Sequence, residues 1–101
     1  MLLTDRYAIS AGERAVMALQ TLPNIATLGE PTNGSLATMI GRELPNRWGL
    51  ALPVQELTWP DGDGSPEGVG LPVDEEILND PADLAQGVDA VLERAMELAV
   101  R

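Results

Sequence analysis

An apolar run meets a helical pattern at Ser10, and that junction limits what this chain can fold into. Leu2-Leu3-Thr4 reads as the end of a buried strand. Ser10-Ala11-Gly12-Glu13 opens a helix. The intervening turn therefore holds Ser10 at a strand end and a helix start. There its hydroxyl has a fixed direction, beside backbone N–H groups that the first helical turn leaves unpaired.

Two roles for Ser10 fit this position. One is a helix cap, in which Ser10 and Glu13 form a capping box and each side chain takes the other's backbone N–H. The other is a nucleophile on a strand-to-helix turn, with the Ala11 N–H directed at a developing oxyanion. A serine nucleophile needs a base, usually His or Lys. The sequence has no His, no Cys and no Lys, and its six basic residues are all Arg. A guanidinium stays protonated and cannot take the proton. Either the base is supplied by other polypeptide, or the chain is not an enzyme.

Charge and composition narrow the partners. At 101 residues the chain is one domain at most. Its net charge of −10 argues against nucleic acid and against anionic membrane surfaces, both of which call for Lys/Arg clusters. No apolar run approaches the roughly 20 residues of a membrane span. Aromatics make up only 3% and Phe is absent, so the core must be built from Leu, Val, Ile, Ala and Met. Without cysteine there are no disulfide staples. The first residues already read as core strand, with no polar lead-in, so a piece of a longer protein is expected.

Ala11 to Leu22 has helical spacing, with Ala15, Ala18, Leu19 and Leu22 on one stripe, widened by Val16 and Met17. Ile25 to Leu28 reads as a second buried strand, parallel to the first, which makes a βαβ unit. Gly29 to Ser35 is a Gly/Pro loop that either turns the chain or cradles a ligand. Ser35 to Ile40 is expected as a short helix or turn. Trp48–Leu52 and Val54–Trp59 are expected to pair antiparallel, leading into a polar hairpin tip at Pro60–Pro66. That tip superficially resembles a calcium loop. The match fails, because Pro66 and Pro72 stand where the Gly and the bidentate Glu are required. Glu67–Asp74 is extended and Gly-rich, and Asp74-Glu75-Glu76 reads as a solvated acidic run. Asp80-Pro81 starts a short helical turn that Gly87 interrupts. Asp89–Val100 forms the last helix, with Val88, Val91, Leu92, Ala95 and Ala99 on one face.

Three stretches together resemble the catalytic domain of the C-terminal-processing (tail-specific) serine peptidases, including the tricorn branch. They are Leu3–Glu13, Thr27–Gly34 and Glu67–Asp74, in the family's order and spacing. The resemblance implies an α/β fold, a piece of a crotonase-like or ClpP-like ββα superhelix, with a βαβ start, a β-hairpin and a C-terminal helix. It implies that residues 1–101 are the C-terminal part of such a domain. It implies Ser10 as nucleophile and the Ala11 N–H as oxyanion donor, with Gly34 and Ser35 on the substrate-binding loop. In the Ser–Lys branch the lysine would fall at Ser35, so that mechanism is not supported. In the tricorn branch a His upstream of the nucleophile is the base, and Glu67 matches the glutamate that assists it. The implied partners are a peptide or protein substrate and the missing N-terminal half, with no cofactor or metal. The isolated chain is then expected to be inactive and to self-associate through uncovered apolar surface. The rival reading is a non-catalytic binding module of the same fold, taking an apolar ligand as the similar retinoid-binding repeats do. A His in the preceding sequence separates the two.

Overall fold

The computed structural model describes residues 1–100. It opens with strand β1 (Leu2–Thr4), helix α1 (Ala11–Gln20) and strand β2 (Thr27–Gly29). β1 and β2 run parallel, with Leu3 opposite Leu28, so α1 is the crossover of a βαβ unit. A third parallel strand, β3 (Glu75–Glu76), pairs on the far side of β2. Asp74 docks that strand. Its Oδ2 accepts from the Thr27 N–H and hydroxyl, both at 2.8 Å, while its own N–H donates to the Thr27 carbonyl at 3.1 Å. The acidic run expected to be solvated is thus a sheet edge. Glu75 is further tied to Arg94 at 2.8 Å.

The final helix, α2 (Ala90–Ala99), closes over this small sheet. It packs on β1 and β2 and is capped by the Asp89 carboxylate, which accepts from the Leu92 N–H. A single turn at Pro81–Leu84, capped by Asp80, precedes it and ends before Gly87, whose φ is +83°. Val16, Leu28, Leu36, Leu71, Val91 and Ala95 form the buried core. Neither helix buries the face its spacing suggested. In α1 the buried residues are Glu13 and Val16, while Ala15, Ala18 and Leu22 stay exposed. In α2, Val91 and Ala95 are buried but Leu92 and Ala99 are exposed. The sheet has only three short strands, too narrow to cover a full helical stripe. α1 stops at Gln20, short of Leu22, because Pro23 restricts the residue before it.

The middle of the chain departs furthest from expectation. Residues 35–38 are neither helix nor turn, and strand β4 (Met39–Glu43) follows them. It pairs antiparallel with β5 (Gly49–Pro53), Gly41 opposite Ala51. Val54–Trp59 forms no strand beyond one further bond, from the Val54 N–H to the Thr38 carbonyl at 2.9 Å. The hairpin turn is Pro45-Asn46-Arg47, closed by the Leu44 N–H on the Trp48 carbonyl at 2.8 Å. The Asn46 side chain accepts from the Trp48 N–H, and Arg47 takes φ +64°. A tight local turn thus pairs the second strand with the segment before it. Pro60–Pro66 is an irregular polar loop held by the Trp59 N–H on the Gly64 carbonyl, not a hairpin tip. The hairpin carries exposed apolar residues, among them Met39, Trp48, Leu50 and Leu52. The radius of gyration is 17.0 Å, against about 13 Å for a compact chain of 100 residues.

Candidate active site

The turn that carries Ser10 is built by side chains on both sides of it. Asp5 Oδ1 accepts from the N–H groups of Tyr7 and Ala8, which folds the chain back after β1. Arg6 pairs with Glu30 at 2.7 Å, and its carbonyl takes the Asn33 side-chain amide at 3.1 Å. The Asn33 N–H then binds the Ala8 carbonyl at 3.1 Å. Loop 29–35 therefore lies against the turn along its length.

Ser10 itself adopts φ 50° and ψ −111°. This is a sparsely populated conformation for a residue with a side chain, and it persists only where the surroundings enforce it. Here they do. The Ser10 N–H donates to the Ser35 carbonyl at 2.8 Å and to Glu13 Oε2 at 3.1 Å. The expected capping box is present, with Glu13 Oε2 on the Ser10 N–H and the Ser10 side chain turned to the Glu13 N–H. The hydroxyl is exposed, and the neighbouring Ala11 N–H has no hydrogen-bond partner among the described residues. Ser10 thus combines a strained backbone with an exposed position at a helix start.

Glu13 is the residue whose role the sequence understated. It is fully buried, and both oxygens are used beyond the helix. Oε1 accepts from the Thr32 hydroxyl at 2.7 Å and the Gly34 N–H at 2.6 Å, and Oε2 from the Ser35 N–H at 2.8 Å. Thr32 Oγ1 in turn accepts from the Leu71 N–H at 2.8 Å. One carboxylate thus knots the Ser10 turn to the Gly loop, and through Thr32 to the chain after Glu67. A buried carboxylate is tolerated because hydrogen-bond donors surround it. The only sequence signal was its place at N3 of the capping box.

The Gly loop and the Glu67 stretch touch through backbone. Gly34 has φ +84°, and a Cβ there would meet the N atoms of Val69 and Gly70 at 2.7 Å. A Cβ on Gly70 would meet the Thr32 carbonyl oxygen at 2.1 Å. The Gly34 carbonyl accepts from the Gly68 N–H at 2.7 Å. Glu67 is exposed, but its Oε2 accepts from the N–H groups of Leu36 and Ala37 at 2.8 and 2.9 Å. Ser10, Ala11, Arg14, Ala37, Thr38 and Met39 line one open cleft. The residues singled out from the sequence therefore gather around segment 34–37. The Gly34 N–H and the Ser35 N–H are both occupied by Glu13. The Gly34 carbonyl holds the Gly68 N–H, and the Ser35 carbonyl and hydroxyl are taken by the Ser10 N–H and Asn33 Oδ1, so the polar groups of both residues are used within the protein.

A family model described as "Peptidase family S41" matches residues 1–77. The chain belongs to peptidase family S41. The matched residues span all three stretches that converge on Ser10 and Glu67. Two solved structures share the fold of this S41 chain. A protein from Parabacteroides merdae assigned as a peptidase is 24% identical, with a TM-score of 0.83 over 98% of this chain and 31% of that one. The tricorn protease is 24% identical, with a TM-score of 0.85 over 97% of this chain and 10% of that one. The S41 chain therefore spans about a third of the first of these proteins and about a tenth of the second. No match was found among curated proteins.

Proposed function

We propose that this chain contributes the nucleophile side of a serine endopeptidase, with residues 1–101 as the C-terminal part of the catalytic domain. The observation that carries the reading is the Ser10 backbone, held at φ 50° and ψ −111° with an exposed hydroxyl beside the unpartnered Ala11 N–H. In the complete site Ser10 Oγ attacks the scissile carbonyl of a peptide or protein. A His from polypeptide outside this chain takes the proton, and the Ala11 N–H stabilises the oxyanion. Glu67 orients the His network, and its position against Leu36 and Ala37 supports this. Gly34 and Ser35, tied to Glu13, lie on the loop that leads into the Ala37–Met39 wall of the cleft. A tricorn-like, tail-specific mode of action is the finer form of the same reading. The remaining domain half would cover the cleft between α1 and α2 lined by Leu2, Ala15, Val16, Ile77 and Val91.

Labelling with a fluorophosphonate tests the reading. A longer protein that includes this chain and the upstream His should label at Ser10, and Ser10→Ala should abolish both labelling and proteolysis. The 101-residue chain alone should label slowly, since without a base the hydroxyl has negligible alkoxide at neutral pH. Proteolysis that survives Ser10→Ala overturns the assignment.

A second reading is favoured by that same cleft, whose apolar residues are edged by Asp5, Glu30, Asn79 and Asp89: a non-catalytic module that binds a largely apolar ligand. It predicts ligand uptake that Ser10→Ala leaves unchanged and no labelling in any context.

A further inference from the structure

Arg14 lies one helical turn beyond Ser10 on α1 and lines the same cleft. A single nitrogen fixes its guanidinium. Nη2 donates to the Leu36 carbonyl at 2.8 Å, to Thr38 Oγ1 at 2.7 Å and to Gln55 Oε1 at 3.3 Å. All three acceptors are neutral. Arg6 and Arg94 form ion pairs, whereas Arg14, like Arg42 and Arg47, forms none among the described residues. Its Nε is buried without an acceptor, and its Nη1 is neither buried nor bonded among the described residues.

This arrangement exceeds what a structural tie needs. The chain carries sixteen carboxylates, yet none pairs with the one guanidinium beside Ser10. Among the described residues no carboxylate oxygen lies within 4.0 Å of it, and its plane is already oriented by Nη2. A donor held in advance loses little conformational freedom when an anion arrives. The free Ala11 N–H lies on the same cleft and would take the scissile carbonyl while Arg14 takes the charge.

We propose that Arg14 is a specificity-determining residue whose Nη1 receives a carboxylate of the bound peptide, either an acidic side chain or the C-terminal carboxylate. The inference rests on the reading that the cleft beside Ser10 binds peptide, but it does not require Ser10 to react. A charge-assisted hydrogen bond in a partly desolvated cleft corresponds to a preference of about tenfold or more.

The test uses a longer protein that includes this chain and the rest of its domain, ¹⁵N-labelled and carrying Ser10→Ala so that bound peptides stay intact, and three peptides of equal length. The first carries Glu and an amidated C-terminus, the second Gln and a free C-terminal carboxylate, and the third Gln and an amide. The Arg14 Nε–H resonance, assigned by its loss in Arg14→Lys, reports the contact. One of the first two peptides should shift that resonance and bind about tenfold or more tighter than the third. Which of them does so identifies the source of the carboxylate. Arg14→Gln should erase the preference. If Arg14→Gln loosens the fold, the titration with Arg14 intact decides alone. Equal binding of all three peptides, or a preference that leaves the Arg14 resonance unmoved, overturns the inference while sparing the cleft's role. Binding of none of the three overturns the peptide-cleft reading and the inference with it.

Discussion

Ser10 and Glu67 hold consecutive residues of one segment. The Ser10 N–H donates to the Ser35 carbonyl at 2.8 Å, and Glu67 Oε2 accepts the N–H groups of Leu36 and Ala37 at 2.8 and 2.9 Å. The two residues are 57 positions apart in sequence, yet three residues of extended chain link them. A shift of that segment would displace both together, so their relative position depends on what fixes residues 34–37. Glu13 fixes the start of that segment through the N–H groups of Gly34 and Ser35.

Strain at Ser10 gives the first prediction. A side chain at φ 50° and ψ −111° costs on the order of 1–3 kcal/mol. Glycine carries no such penalty, although it adds freedom to the unfolded chain. Ser10→Gly should therefore be more stable than Ser10→Ala by about 1 kcal/mol. Chemical denaturation of the two variants measures the difference. An Ala variant equal to or more stable than Gly would mean that the turn is relaxed.

Glu13 gives the second. Its Oε2 receives two N–H groups, from Ser35 and Ser10. Oε1 receives the Thr32 hydroxyl and the Gly34 N–H. In Glu13→Gln, whichever way the amide points, its NH₂ faces donors on one side. The change should cost about 2–4 kcal/mol, since hydrogen bonds to charged groups are each worth roughly 1.5–3 kcal/mol. An ordinary helix-cap glutamate would lose about 1 kcal/mol. The thermal melts of wild type, Glu13→Gln and an exposed control such as Glu93→Gln separate these outcomes.

These two residues also show what the sequence disclosed. The strand–turn–helix at Ser10 was legible because apolar periodicity changes from strand to helix within a few residues, and periodicity is local. The contacts of Glu13 with loop 32–35 were not legible. They span about twenty residues, and a capping box looks the same whether or not a loop folds onto it. The β4–β5 hairpin was misplaced for a related reason. Trp48–Leu52 is as compatible with a partner before it as with one after it. The Pro45-Asn46-Arg47 turn was the local signal that decided between them. Glu75-Glu76 reads as solvent-facing by composition. It becomes a strand only because Asp74 binds Thr27 from 47 residues away.

Asp74 gives the third prediction, a pH dependence. The Thr27 backbone N–H, and after it the Thr27 hydroxyl, hold its carboxyl below the ordinary value of 3.8. Asp89 is lowered likewise, first by the Leu92 N–H and then by Asn79. A carboxyl depressed by folding adds stability that is present in full above its unfolded value. That stability is lost as pH falls through the folded value. The melting temperature should therefore drop below about pH 4, in part through these two groups. Asp74→Asn should lower the melting temperature at pH 7 and flatten the acid limb. Wild type and variant should converge once the pH falls below the folded value. A parallel offset at every pH would show that the Asp74 charge contributes nothing.

Glu67 gives the last, and its geometry separates folding from chemistry. Both N–H groups it accepts land on the same oxygen, Oε2, and Oε1 makes no hydrogen bond among the described residues. In Glu67→Gln the amide oxygen can take the place of Oε2 and keep both bonds. Stability should then change by no more than about 0.5 kcal/mol, the range of a surface substitution. The NH₂ replaces Oε1, the oxygen left to meet a neighbouring group, and removes its charge. Where a His supplied by other polypeptide shares the site, that charge would favour the imidazolium formed as Ser10 gives up its proton. In a protein that contains both halves, Glu67→Gln should lower kcat by about 10²-fold or more with little change in KM, the pattern of an interaction made in the transition state. Glu67→Ala should lose activity and also loosen segment 36–37, read as faster amide exchange at Leu36 and Ala37. An active Gln variant would reduce Glu67 to a clamp on the loop. A Gln variant that unfolds would show that the clamp needs the charge itself.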